Sequence, residues 1–210
     1  MCLFDDGSMA DENGMPVRDA AAQKKYDAAM KKMDTGDFKA ALTAFKKYTE
    51  EYPDDAEGWY LRAECANYAG GMFGARIKDE DIIAAYTKAM ELDDTRVDFY
   101  QAYGLFCISI GKYEEAEKAY NEAAEIDESM SASLYSEFAI EYYNHVLAEY
   151  GEILDEPKNR VKYAKKALSY MLKALDMRRP EFKGARRLRE HSRGGLRILD
   201  GLREYVPYWL

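Results

Sequence analysis

Apolar positions recur three or four residues apart along most of this chain, the spacing that turns one side of a helix toward a core. The clearest stretch is Val161, Ala164, Leu168, Met171, Leu172 and Leu175, an amphipathic helix whose start is signalled by Asp155-Glu156-Pro157. Shorter patterns with the same spacing are Trp59, Arg62, Ala63, Ala66; Tyr100, Tyr103, Gly104, Cys107; and Tyr135, Phe138, Ala139, Tyr142. Five prolines in 210 residues leave long uninterrupted windows for helix. The pattern predicts an all-α chain.

The helical segments are copies of one another. GDFKAALTAFKKY, starting at Gly36, aligns with GKYEEAEKAYNEA, starting at Gly111. Gly36, Phe38, Ala41, Phe45 and Tyr48 match Gly111, Tyr113, Ala116, Tyr120 and Ala123, and a further helical pattern precedes each glycine. A third copy opens at Gly70 and is interrupted by about seven residues before Ile82, Tyr86 and Ala89; a fourth closes with Ala167, Met171 and Ala174. Each unit reads as two helices around a tight turn, with glycine supplying the backbone freedom. Ala29, Ala63, Gly104 and Ala139 fall where paired helices must approach closely, joined from the second helices by Ala41, Ala89, Ala116 and Ala123. One pair cannot bury its own apolar face, so pairs must stack.

These positions and residue types resemble the tetratricopeptide repeat, over about 22–181. The resemblance implies a right-handed α-solenoid of about four helix-turn-helix repeats, at 22–55, 56–96, 97–131 and 132–181, with a C-terminal capping helix. The expected organisation is a flexible tail over 1–18, a repeat domain over 19–181, and a basic capping helix with an aromatic end over 182–210. The family binds peptides or helices in a concave groove lined by the first helix of each pair. Carried over position by position, the partner-binding groove would comprise Tyr26, Met30 and Met33; then Tyr60, Glu64, Asn67 and Tyr68; then Asp98, Gln101, Leu105 and Ile108; then Ile140, Tyr143 and Asn144. One subfamily clamps the acidic tails of Hsp70 and Hsp90 with lysine, arginine and asparagine. The matching positions here hold Tyr26, Met30, Leu61, Asp98 and Ala102, so the Hsp70/Hsp90 carboxylate clamp is expected to be absent. Tyrosine and methionine offer broad, adaptable contact area, which points to an apolar or mildly basic protein or peptide ligand.

Charge divides the chain. Residues 178–210 carry nine basic and four acidic groups, net +5, which leaves −14 for the rest of a chain of net −9. Arg178, Arg179, Arg186, Arg187, Arg189, Arg193 and Arg197 form the expected basic patch. It reads as the solvated face of the cap, as a grip on an acidic partner, nucleic acid or an anionic membrane surface, or as a link to the acidic groove of a second copy in a homo-oligomer. The acidic balance of the whole disfavours nucleic acid as the main partner.

Two insertions remain. Gly70-Gly71-Met72-Phe73-Gly74-Ala75-Arg76 reads as a lengthened turn; the alternative, a phosphate cradle of backbone N–H groups, lacks a preceding strand and a P-loop lysine. The fourth repeat is longer by about sixteen residues. In the tail, Gly7-Ser8 before Met9 reads equally as a cloning joint or as part of a native start at Met1.

Catalytic and metal chemistry find little footing. Cys2, Cys65 and Cys107 are scattered, and His145 and His191 have no ligand-spaced neighbour. No metal, cofactor or catalytic residue is assigned, and a non-enzymatic adaptor or scaffold is expected. MCLFDD lacks the basic start and apolar core of a signal peptide, and no apolar run nears the roughly 20 residues that span a bilayer. A reducing cytoplasm is the expected compartment.

Overall fold

The computed structural model describes residues 2–3, 9–10, 18–71, 74–149 and 157–175. Cys2–Leu3 and Met9–Ala10 form a two-residue antiparallel pair, β1 and β2, with Cys2 opposite Ala10. Eight α-helices follow among the described residues: α1 Ala20–Asp34, α2 Phe38–Glu51, α3 Ala56–Gly71, α4 Asp79–Leu92, α5 Val97–Ser109, α6 Tyr113–Ile126, α7 Ser131–Glu149 and α8 Pro157–Ala174. They fall into two compact units, one reaching Thr95 and the other beginning at Arg96.

In the first unit the helix ends are written in the sequence. Asp19 caps α1 by accepting from the N–H groups of Ala21 (2.8 Å) and Ala22 (2.7 Å), and Asp37 caps α2 through Ala40 N–H (3.1 Å). Between them Gly36 takes φ 77°. Its N–H donates to Met33 O (2.8 Å) and that of Asp37 to Lys32 O (3.0 Å). That is a Schellman stop, which settles two orphan carbonyls in a conformation glycine adopts without strain. α2 packs on both α1 and α3, and α3 on α4. Ala29, Ala41, Phe45, Ala63, Cys65, Ala69, Tyr86 and Ala89 are fully enclosed. Gly58 near the start of α3 is a close approach: a Cβ there would stand 2.7 Å from the Tyr48 ring.

The inserted segment differs from its sequence reading. Gly70 does not open the turn, because α3 continues through Gly71. Gly74 supplies the left-handed residue instead, at φ 60°. Its N–H donates to Gly70 O (3.1 Å) and that of Ala75 to Ala69 O (2.9 Å). Both groups are spent on closing the helix, which removes them from any phosphate cradle.

The second unit repeats the scheme. Gly111 has φ 75°, Gly111 N–H donates to Ile108 O (3.0 Å) and Lys112 N–H to Cys107 O (2.8 Å), the same stop as at Gly36. α5 packs on α6 and α7, α6 on α7, and α7 on α8. Gly104 on α5 meets Tyr120 on α6 so closely that a Cβ would lie 2.7 Å from the ring. The core continues through Phe138, Ala139, Tyr142 and Val146 into Ala164, Ala167, Leu168, Met171 and Leu172 of α8, with Leu175 packed at its margin. Tyr170 and Lys166 of α8 both reach Glu117 of α6, the hydroxyl at 2.6 Å, and so fix α8 across the unit. The stripe that predicted α8 is therefore the stripe it buries.

Candidate interaction faces

On α3, Tyr60, Glu64, Asn67 and Tyr68 are spaced 4, 7 and 8 residues from the first, one side of a helix. Leu61, Cys65, Ala66 and Ala69 of the same helix are buried. The face is left incompletely covered: Tyr60, Glu64 and Asn67 are half-buried and Tyr68 is 39% exposed. Tyr68 stacks on Phe38 of α2 (centroids 4.9 Å apart, planes 26° apart), which holds its ring rigid. Phe38 was legible in the sequence only as a repeat position, not as support for this face. Glu64 accepts a hydrogen bond from the Tyr86 hydroxyl of α4. Burial pushes its carboxyl above the ordinary glutamate value, against the downward pull of that bond.

On α1, Met30 and Met33 are half-buried and remain available for contact. Tyr26 is engaged inside the unit. It meets Phe45 and Tyr48 edge-on, at 6.0 and 5.9 Å, and the Arg18 guanidinium lies 3.8 Å above its ring. Arg18, assigned to the flexible tail on composition, is a folded residue. Its Nε donates to Asp55 Oδ2 (2.6 Å) and an Nη to Oδ1 (3.1 Å), with a further bond to Glu57 (3.2 Å). Asp55 also accepts from the Tyr48 hydroxyl (2.5 Å) and caps α3 through Gly58 N–H (3.0 Å). A guanidinium with this many acceptors outweighs the composition of the segment around it. The usable signal was Asp55 immediately before a helix, a cap that also offers charge.

In the second unit α5 and α7 pack on each other. Asp98 accepts from Arg96 (2.6 and 2.8 Å), and Gln101 donates to Glu137 (2.5 Å). Leu105 and Ile140 are half-buried and Asn144 is exposed. Two expected groove residues belong to the core instead. Ile108 is 3% exposed and Tyr143 7%, both enclosed in the cluster that runs from α5 to α8. Tyr143 sits in the cluster that joins α5, α6, α7 and α8, so it packs inward instead of facing a ligand. The arginines from Arg178 to Arg197 lie outside the described residues.

Neither Cys65 nor Cys107 offers a reactive thiol. Burial pushes Cys65 up to about 12 and Cys107 up to about 11, far from the low values of reactive thiolates. His145 is held between the Tyr113 hydroxyl (2.8 Å) and Ser109 O (3.1 Å). Among the described residues no three Asp, Glu, His or Cys side chains gather to hold a metal ion, and no helix is long and apolar enough to cross a membrane.

Residues 26–72 and 97–130 each match a model of the tetratricopeptide repeat. No curated protein matches the chain. Among solved structures, MamA aligns at 20% identity with TM-score 0.56, over 78% of this chain and 80% of that one. A second MamA structure aligns at 22% identity with TM-score 0.32, over 74% and 94%. A thermophilic TPR protein of Thermus thermophilus aligns at 16% identity with TM-score 0.30, over 72% and 99%. The first alignment supports a shared fold. With glycine-stopped helix pairs in both units and a repeat match in each, this all-α helical-repeat chain carries tetratricopeptide repeats over residues 26–72 and 97–130.

Proposed function

We propose that the protein is a non-enzymatic interaction module that holds a peptide or helix of a partner against the first helices of its pairs. One observation carries the reading: the second helices bury Phe45, Tyr48, Tyr86 and Tyr120 in the core, whereas α3 keeps two tyrosines, a glutamate and an asparagine on an incompletely covered face. Rigid aromatic surface gives contact area at little entropic cost, and Met30 and Met33 add adaptable apolar area. The Hsp70/Hsp90 carboxylate clamp does not suit this chain. Leu61 is buried, and Asp98 puts a carboxylate where the clamp has a cation. A cytoplasmic setting accords with two buried thiols kept free.

The test places a photo-crosslinking phenylalanine analogue at Tyr68 or, as control, at exposed Lys46 on α2. Adducts with one partner from Tyr68 only, abolished by Tyr60→Ala, support the reading. Equal adducts at both positions refute it. Tyr143→Ala is unsuited to this purpose because it would empty the core.

A further inference from the structure

We propose that Glu64 is the anchor for a lysine or arginine side chain of the partner, which makes the ligand of the first unit a basic peptide. This rests on the groove reading above. Most other buried or half-buried carboxylates among the described residues have a cation: Asp55 and Glu57 share Arg18, Asp98 has Arg96, Glu117 has Lys166 and Glu122 has Lys118. Asp93 and Asp127 accept from the turn N–H groups of Thr95 and Ser129, and Glu137 from the Gln101 amide. Glu64 has a neutral hydroxyl, that of Tyr86, and no ion pair among the described residues. A carboxylate accepts about four hydrogen bonds, so most of its capacity stays open.

The fold does not require charge at this position. A glutamine would still accept the Tyr86 hydroxyl, in a weaker bond, and would avoid the cost of holding a charge half out of water. What the carboxylate adds is attraction for a cation, strengthened by the partial burial that makes it costly. Its surroundings fit such a visitor. Tyr60 lies one turn before Glu64, its ring against Tyr86, and Tyr68 one turn after, one face stacked on Phe38 and its exposed part able to receive an aliphatic stem or a guanidinium plane. Asn67, three residues on, provides an amide oxygen for a remaining N–H. An acidic ligand would meet repulsion at the same place.

The test selects peptides from a displayed random dodecapeptide library on the full chain, then measures binding by fluorescence polarisation. Selected peptides should share a lysine or arginine at one position. Glu64→Gln should weaken them about tenfold, and replacing that lysine by norleucine, or the arginine by citrulline, should cost about the same. Combining the two changes should add little further loss, because both remove one interaction. Glu64→Gln should melt no lower than wild type; a lower melting temperature with unchanged affinity would make Glu64 a structural residue and overturn the inference. Peptides that need Tyr60 and Tyr68 but bind Glu64→Gln unchanged, or share no basic residue, would overturn it while the groove reading stands. Peptides indifferent to Tyr60→Ala with Tyr68→Ala, or a library that yields none, would overturn both.

Discussion

Arg18→Ala is the perturbation with the largest consequence for its size. Both Arg18 and Asp55 side chains are 8% exposed, so the pair is judged as buried rather than superficial. Removing one member of a buried pair costs about 3–5 kcal/mol, because the other charge is left without its counter-ion. Asp55 would keep the Tyr48 hydroxyl and the Gly58 N–H, which softens that loss. Against this, the mutation also removes the guanidinium stacked on Tyr26, worth about 0.5–2 kcal/mol. The balance is a loss of about 2–4 kcal/mol. Asp55→Asn retains an oxygen for the α3 cap but turns its NH2 toward two of the four donors and leaves Arg18 with Glu57 alone, so it should cost about as much as Arg18→Ala.

The assay is urea unfolding followed by Trp59 fluorescence in a Trp209→Phe background. Trp59 sits on the capped first turn of α3, its indole N–H donating to Pro53 O at 2.8 Å, so it reports on this corner. Titration supplies a second signature. Burial pushes the Asp55 carboxyl up, but hydrogen bonds from Arg18, Tyr48 and Gly58 together with the Arg18 charge outweigh it and hold the carboxyl below its ordinary value. Its stabilising contribution is therefore full above the unfolded value of about 4 and fades as pH falls through the lower native one. The gap between wild type and Arg18→Ala should narrow over that same window. A loss at neutral pH under about 0.5 kcal/mol, the scale of an exposed ion pair, would refute the account of this corner.

Two further outcomes follow from the glycines. Gly104→Ala drives a methyl into the Tyr120 ring and should cost about 1–3 kcal/mol in chemical unfolding; a neutral result would mean that α5 and α6 can part freely. Gly36→Ala and Gly111→Ala meet a different obstacle, a φ of 77° or 75°, and should each lose about 1–2 kcal/mol. Asparagine at either position should recover part of that loss, as read from melting curves, since its side chain tolerates the left-handed region.

What could be read from the sequence divides along a physical line. Helices, their stops at Gly36 and Gly111 and the buried small residues follow from local spacing and local backbone chemistry, both complete within a dozen residues. Gly70 misled because Gly74, four residues on, serves the same purpose, and a spacing rule cannot choose between two glycines competing for one turn. Arg18 was invisible for a different reason. Its value lies in Asp55 and Glu57, 37 and 39 residues away, and composition around an arginine says nothing of its partners. The groove residues show the same limit from the other side. Repeat position predicts which way a residue faces, but what covers it depends on the neighbouring pair. Asn67 and Tyr143 stand at matching positions on α3 and α7, yet one is half-buried and the other enclosed. Glu64 stands out only when partners are assigned: periodicity makes it one carboxylate among 39 acidic residues, and the ion pairs and caps around it make it the half-buried one left with a hydroxyl. Among the described residues Glu64 is thus a half-buried carboxylate without a counter-ion on a face that is incompletely covered, and the basic-peptide proposal rests on that pair of observations.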